Sequence, residues 1–173
     1  DTRIGPKFLF PGIGFGGSCF PKDVRALLHT ARQHGMELPI VAATDAINER
    51  QKLVLFHKVL RFFHGDTAAA APLAGKVIGV WGLSFKPETD DIREAPGVAL
   101  CERLVQAGAT VQASDPVALA NAERRFEGRV QLHSDAYEAA RGADALLLCT
   151  EWRQYRQPNF RRLRDLMRGT GVF

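Results

Sequence analysis

The stretch GIGFGGSCFPKD, residues 12–23, sets four glycines, a cysteine, a lysine and an aspartate into twelve positions. Pro21 suits a first helical turn, so the Cys19 thiol stands just ahead of a helix N-terminus. Three chemistries meet there. A free cysteine is often a small packing residue. As a metal ligand Cys19 lacks partners, since the nearest histidine, His29, comes ten residues later, and no metal site is expected. As a nucleophile it has what the chemistry needs. A helix N-terminus carries roughly half a positive charge, which favours thiolate over thiol. Lys22 adds a cation, and glycines 12, 14, 16 and 17 let backbone approach a ligand and free N–H groups for a phosphate or oxyanion. Residue types alone leave packing and nucleophile both open.

A second polar cluster lies in LSFKPETDDIREA, residues 83–95, where Lys86, Asp90, Asp91, Arg93 and Glu94 crowd one loop. A solvated turn with local ion pairs would account for it. Its place after the short apolar strand KVIGVWG, residues 76–82, favours a ligand loop instead. GVWGLSF lacks the GxGxxG spacing and Asp115 stands too far on for a ribose-binding acid, so a tight NAD pyrophosphate turn is disfavoured here.

The elements that must position these groups fall into three segments. The first carries a helix from Pro21 whose apolar face is Val24, Leu27, Leu28 and Ala31, stopped at Gly35. From Leu38 to His64 no Gly or Pro follows Pro39, which predicts one long helix. Its later half has two apolar faces: Leu53, Phe56, Leu60 and Phe63, then Leu55, Val59 and Phe62. Such a helix connects domains or lines a dimer interface. DTAAAAPLAG, residues 66–75, reads as a linker. From Lys76 strand and helix patterns alternate: KVIGVWG, PGVALCERLVQAG, ATVQASDP, VALANAERRF, VQLH, DAYEAARG, ADALLLCT and FRRLRDLMRG. That alternation predicts a doubly wound parallel sheet, with ligands at the carboxyl ends of its strands, near Gly82–Glu94, Asp115 and Thr150–Trp152.

Composition is that of an ordinary soluble globular chain, 46% hydrophobic and 24% charged over 173 residues. No apolar run reaches the length of a membrane span, and no membrane or nucleic-acid partner is expected. The three cysteines are far apart and form no CxxC pair, which points to a reducing, cytoplasmic compartment. A net charge of +4 suits a phosphate-bearing small molecule. DTRIGPKF opens in mid-pattern and GTGVF looks like the entry to a strand, so the chain reads as a piece of a longer polypeptide.

RIGPKFLFPGIGFGGSCFPKDVRAL, WGLSFKPETDDIREAP and DALLLCTEW together resemble the nucleotide-sugar 6-dehydrogenases of the UDP-glucose/GDP-mannose dehydrogenase family, over essentially the whole chain. The resemblance implies an α/β chain: a long central helix followed by a doubly wound parallel-sheet, Rossmann-like domain that binds the nucleotide sugar. Its parts would be the cysteine loop and following helix (1–36), the connecting and dimerisation helix (37–65), the linker (66–75) and the UDP-binding domain (76–173). The family's N-terminal NAD-binding GxGxxG domain has no counterpart in these residues.

The same resemblance implies oxidation of UDP-glucose to UDP-glucuronate in two steps, with NAD as cofactor. Cys19 would attack the aldehyde made in the first step, giving a thiohemiacetal that is oxidised to a thioester and hydrolysed. Asp23 matches the family's catalytic aspartate, which orients or activates water. Phe8, Leu9, Phe10, Pro11, Gly12 and Gly16 match a substrate-binding loop, and Phe85 with Lys86 match sugar-nucleotide contacts. Lys22 and Arg93 match residues that reach NAD. Arg3 matches an arginine that reaches a neighbouring subunit's substrate, which implies a homodimer with sites completed across subunits. The alternative readings are an isolated nucleotide-binding and dimerisation module without activity of its own, or a family member acting on GDP-mannose or a UDP-N-acetylhexosamine.

Overall fold

The computed structural model describes residue 5, residues 11–64 and residues 71–173. Two helices lead: α1 (Phe20–Gln33), with its proline in the first turn, and α2 (Pro39–Gln51), also opened by proline. Gly35 ends the first in a left-handed conformation, φ 68°. The predicted continuous helix over 38–64 is divided. After α2 the chain turns at Lys52–Leu53 and resumes as α3 (Val54–His64). The Lys52 N–H still bonds the Asn48 carbonyl, but the Leu53 N–H bonds Arg50 three residues back, and the regular ladder returns at His57→Leu53. This one tightened turn lets the two helices face different neighbours. Leu55 and Val59 of α3 are buried in the core, Phe56, Leu60 and Phe63 pack against it, and Phe62 stays half exposed.

The remainder alternates as predicted: β1 (Val77–Trp81), α4 (Pro96–Gln106), β2 (Thr110–Ser114), α5 (Leu119–Phe126), β3 (Gln131–Leu132), α6 (Ala136–Ala140), β4 (Ala145–Leu148), α7 (Phe160–Leu166) and β5 (Gly171–Val172). All pairings are parallel, and the strand order is β3-β2-β1-β4-β5. The fold is therefore α/β with a doubly wound parallel sheet. The order reverses between β1 and β4, so the carboxyl ends of those two strands form the crevice where ligands of such sheets sit.

Strands buried on both faces read as near-continuous apolar runs. Ile78, Val80, Leu146 and Leu147 are fully buried, and from α4 Cys101 and Leu104 with them, while Val98 is nearly so. Gly79 of β1 is required by packing: a Cβ there would stand 2.7 Å from the Ala139 carbonyl of α6. Two short helices carry side-chain caps, Asp135 accepting from the Tyr137 N–H and Asn159 from the Arg162 N–H. Residues 71–75, in the stretch read as a linker, are docked: Leu73 is fully buried and its N–H bonds the Ala107 carbonyl.

Candidate active site

The glycine loop is shaped by what it touches. Gly14 (φ 111°) and Gly17 (φ 90°) hold left-handed conformations that favour glycine. A Cβ at Gly16 would stand 2.4 Å from the Glu94 carbonyl, and one at Gly17 2.9 Å from the Phe85 ring. The glycines thus let the cysteine loop lie directly on the 83–95 loop. The Gly17 N–H donates to the Arg93 carbonyl at 2.8 Å, and the Phe15 N–H to Asn48 Oδ1 at 2.8 Å. Those two N–H groups are occupied by protein, which corrects the expectation that the loop's amides are left for an anion.

Cys19 is the N-cap residue of α1 and is exposed, its carbonyl accepting the Asp23 N–H at 2.8 Å. Its sulfur lies 3.7 Å from Ser18 Oγ. Cys101 is buried, which pushes its thiol well up, and burial pushes Cys149 up to about 12. Among the three cysteines only Cys19 is exposed, and it is no part of the core.

The other sequence-predicted residues distribute unevenly. Lys22 and Asp23 are exposed and paired with each other; that hydrogen bond chiefly raises the Lys22 ammonium, with the Cys19 charge a smaller contributor. Arg93 grips Asp91 through two hydrogen bonds, Nε to Oδ1 at 2.9 Å and Nη2 to Oδ2 at 2.8 Å. This contact holds the Asp91 carboxyl below its ordinary value and raises Arg93, on which Cys19 also acts. Lys22 and Arg93 line one open cleft of about 610 Å³ together with Gly17, Ser18, Arg25 and Glu94. Cys19, Asp23 and Lys86 do not line it. Phe85 is half-buried against Gly17, and Lys86 Nζ lies 5.4 Å from the Phe85 ring centroid. Pro11 and Gly12 are exposed. Arg3, Phe8, Leu9 and Phe10 lie outside the described residues.

Asp115, one of the groups at the switch point, faces inward. Its Oδ2 accepts from the Leu83 N–H (2.8 Å), the Ser84 N–H (3.0 Å), Ser84 Oγ (3.0 Å) and Trp152 Nε1 (3.3 Å). Its Oδ1 accepts from the Val117 and Ala118 N–H groups at 3.0 and 2.9 Å. Thr150 Oγ1 donates to the Ser84 carbonyl at 2.6 Å. These residues fasten the start of the 83–95 loop to β2 and β4.

Four residues at the site were missed by sequence reasoning: Arg25, Asn48, Lys52 and Glu94 in its pairing role. Lys52, 5% exposed, bonds Glu49 at 2.8 Å and Glu94 at 3.2 Å, and Arg25 reaches Glu94 and Glu49 at 3.2 Å each. The Arg25 hydrogen bond, ahead of Lys52, holds the Glu94 carboxyl below its usual range. A signal existed: residues 48, 52, 55 and 59 share one helical stripe, and its first two members are polar where the last two are core. Among the described residues no group of His, Cys, Asp or Glu could hold a metal ion, and no helix is long and apolar enough to cross a membrane.

The parallel sheet, the crevice at its switch point and the cysteine loop docked on the 83–95 loop define a doubly wound, Rossmann-like α/β unit. The family described as UDP-glucose/GDP-mannose dehydrogenase matches twice: its UDP-binding domain over residues 79–173 and its central domain over residues 1–50. The chain belongs to the UDP-glucose/GDP-mannose dehydrogenase family. It is 47% identical to the UDP-glucose 6-dehydrogenase of Pseudomonas aeruginosa, the match covering 97% of this chain and 37% of that protein. To the UDP-glucose 6-dehydrogenase of Rhizobium meliloti it is 44% identical, with 97% and 37% covered. Of solved structures, a UDP-glucose dehydrogenase from Pyrobaculum islandicum superposes with a TM-score of 0.81 at 30% identity, covering 99% of this chain and 40% of that one. A ternary complex of GDP-mannose dehydrogenase from Pseudomonas aeruginosa gives 0.71 at 29%, covering 92% and 37%. The chain thus spans a little over a third of the length of these relatives.

Proposed function

We infer that the chain is the cysteine-loop, connecting-helix and UDP-binding part of an NAD-dependent UDP-glucose 6-dehydrogenase. The observation that carries this reading is an exposed Cys19 at the head of α1, on a loop docked backbone to backbone against the 83–95 loop, in a member of this family. Substrate would lie where the two loops meet, the nucleotide sugar touching Phe8–Gly12, Gly16, Phe85 and Lys86. Lys22 and Arg93 fit the charged edge of a dinucleotide: both are exposed cations at one cleft, each paired with a neighbouring carboxylate. Lys22 and Arg93 would hold NAD, which would supply the hydride acceptor, one NAD for each of the two oxidations.

The chain's own residues would do the rest. The Cys19 sulfur adds to the C6 aldehyde, and the carbonyl oxygen takes a proton, leaving a thiohemiacetal on the protein. Loss of hydride and of that proton makes a thioester. Water, held by Asp23, attacks the thioester carbonyl; the C–S bond breaks, and the uronic acid leaves as the thiol is restored. Active sites would be completed across a homodimer through Arg3, in the cytoplasm.

Cys19→Ser, in the enzyme carrying its NAD-binding part, is expected to bind UDP-glucose normally and to stall after the first oxidation, with the melting temperature unchanged. A hydroxyl is a weaker nucleophile than a thiolate, and an ester hydrolyses less readily than a thioester. NADH released per sugar in a single turnover reads this out; full turnover by the serine variant overturns the reading. The present residues alone, which match only the family's central and UDP-binding domains, are expected to form no NADH from UDP-glucose. Calorimetry with UDP and GDP checks the base, and a preference for GDP would move the substrate to GDP-mannose.

A further inference from the structure

Asn48 is the one buried residue of α2, 4% exposed, and its carboxamide is spent entirely on the cysteine loop. Oδ1 accepts the Phe15 N–H at 2.8 Å, while Nδ2 donates to the Phe15 carbonyl at 3.1 Å. A carboxamide is a neutral side chain that accepts and donates at once and so closes one residue's N–H and C=O together. Gln51, three residues on, donates to the Gly12 carbonyl at 2.6 Å. Gly14, at φ 111°, suits this contact, since a Cβ there would stand 3.1 Å from Asn48 Oδ1 and press the carboxamide by a few tenths of an ångström. One turn further along the same face, Lys52 holds Glu94 of the other loop. The face of α2 thus carries one buried polar tie to each half of the site.

Burying an amide is worse for simple packing than burying an apolar group of the same size, unless its bonds are made. An apolar residue at position 48 would serve α2 as well and leave the loop free. We propose that Asn48 is a positioning residue: by clamping Phe15 it fixes the course of residues 15–19 and hence the place of the Cys19 sulfur relative to a sugar held by the 83–95 loop. It touches neither substrate nor cofactor. The proposal rests on the reading of Cys19 as the nucleophile toward the sugar.

The test uses this chain and the alkylation of Cys19 by iodoacetamide, followed by intact mass with and without saturating UDP-glucose. Cys101 is buried, and Cys149 is half-buried with its thiol pushed up to about 12, so both serve as slow-reacting internal thiols that intact mass separates from Cys19. In the parent chain bound UDP-glucose is expected to slow Cys19 alkylation about tenfold or more. Asn48→Leu is expected to bind UDP, by calorimetry, within about twofold of the parent, yet to lose that protection. Asn48→Asp, which keeps the acceptor toward the Phe15 N–H and lacks the donor, is expected to protect to an intermediate degree. Parent-like protection in Asn48→Leu overturns the proposal and leaves the reading of Cys19 standing. Absence of protection in the parent itself sinks that reading, and the proposal with it. Should Asn48→Leu not fold, Asn48→Asp decides: intermediate protection supports the clamp, and parent-like protection overturns it.

Discussion

Ile78, Val80, Leu146 and Leu147 of the central strands are wholly out of water, whereas α1 buries Pro21, Leu28 and Ala31 and α2 buries Asn48 alone. At the same time Leu27 is 50% exposed, Ile47 54% and Ile40 82%. The sheet region is held by apolar burial, the dominant favourable contribution in folding. The pair α1–α2 is held largely by polar ties: Asn48 on Phe15, Lys52 on Glu94, and Arg25 on Glu94, Glu49 and Asp45. Apolar contacts are indifferent to direction, while a hydrogen bond specifies one geometry. A region that must place a thiol to within ångströms therefore gains from the second kind, at a cost in stability. In the proposed dimer a second copy would cover the exposed Leu27, Ile40 and Ile47 of α1–α2.

The comparison can be broken most directly at Asp115. Asp115→Ala strips the partner from several buried donors around the start of the 83–95 loop, and a loss on the order of 4 kcal/mol is expected by chemical denaturation. A loss below about 1 kcal/mol would show that the knot does not hold the sheet region's crevice. Leu147→Ala, in the dry core, is expected to cost about 2–5 kcal/mol, and Leu28→Ala in α1 less than half as much. Equal losses would erase the distinction between the regions.

Acid should act on both through their carboxylates. Asp144 is held below its ordinary value chiefly by the Arg168 hydrogen bond, with the Val77 N–H also contributing, and Glu94 chiefly by Arg25. A depressed carboxylate stabilises the folded state above its unfolded value and loses that contribution as pH falls through the folded one. The denaturation midpoint is therefore expected to show no loss from these carboxylates between about pH 5 and 8 and to fall below about pH 4. An earlier fall, near pH 6, would implicate histidines instead. The smallest effect is expected from Ile40→Glu with Ile47→Glu: stability of the monomer within about 0.5 kcal/mol, because both side chains are already in water. Sedimentation of the same variant, losing a dimer that the parent forms, would sharpen the account of that face; a dimer that survives would mean that it is covered otherwise.

Much of the sheet region was legible because its signals are local. Strands such as ADALLLCT and helices such as PGVALCERLVQAG show their periods within a dozen residues, and the alternation dictates parallel pairing. The cysteine before a proline-opened helix was legible for the same reason, but its exposure was decided by the structure. The turn at Lys52–Leu53 was not, since neither Gly nor Pro marks it and the requirement comes from two different packing surfaces. Nor were the partners of the polar groups. Asp90, Asp91 and Arg93 stood out by their crowding, but nothing in their spacing tells that Asp91 holds Arg93 or that Glu94 turns to Arg25 and Lys52.

By itself, then, the sequence determined the parallel α/β architecture, the family and the presence of a thiol at a helix start, because period, composition and motif are written along neighbouring residues. Only the tertiary structure decided that the Asp115 carboxylate is consumed inside the fold, that two glycine-loop amides are already bonded, and that Asn48 and Lys52 tie α2 to the two halves of the site. These pairings join groups some 30 residues or more apart. Which donor meets which acceptor over such a span depends on how whole elements dock, and a polar side chain carries no period from which that could be read.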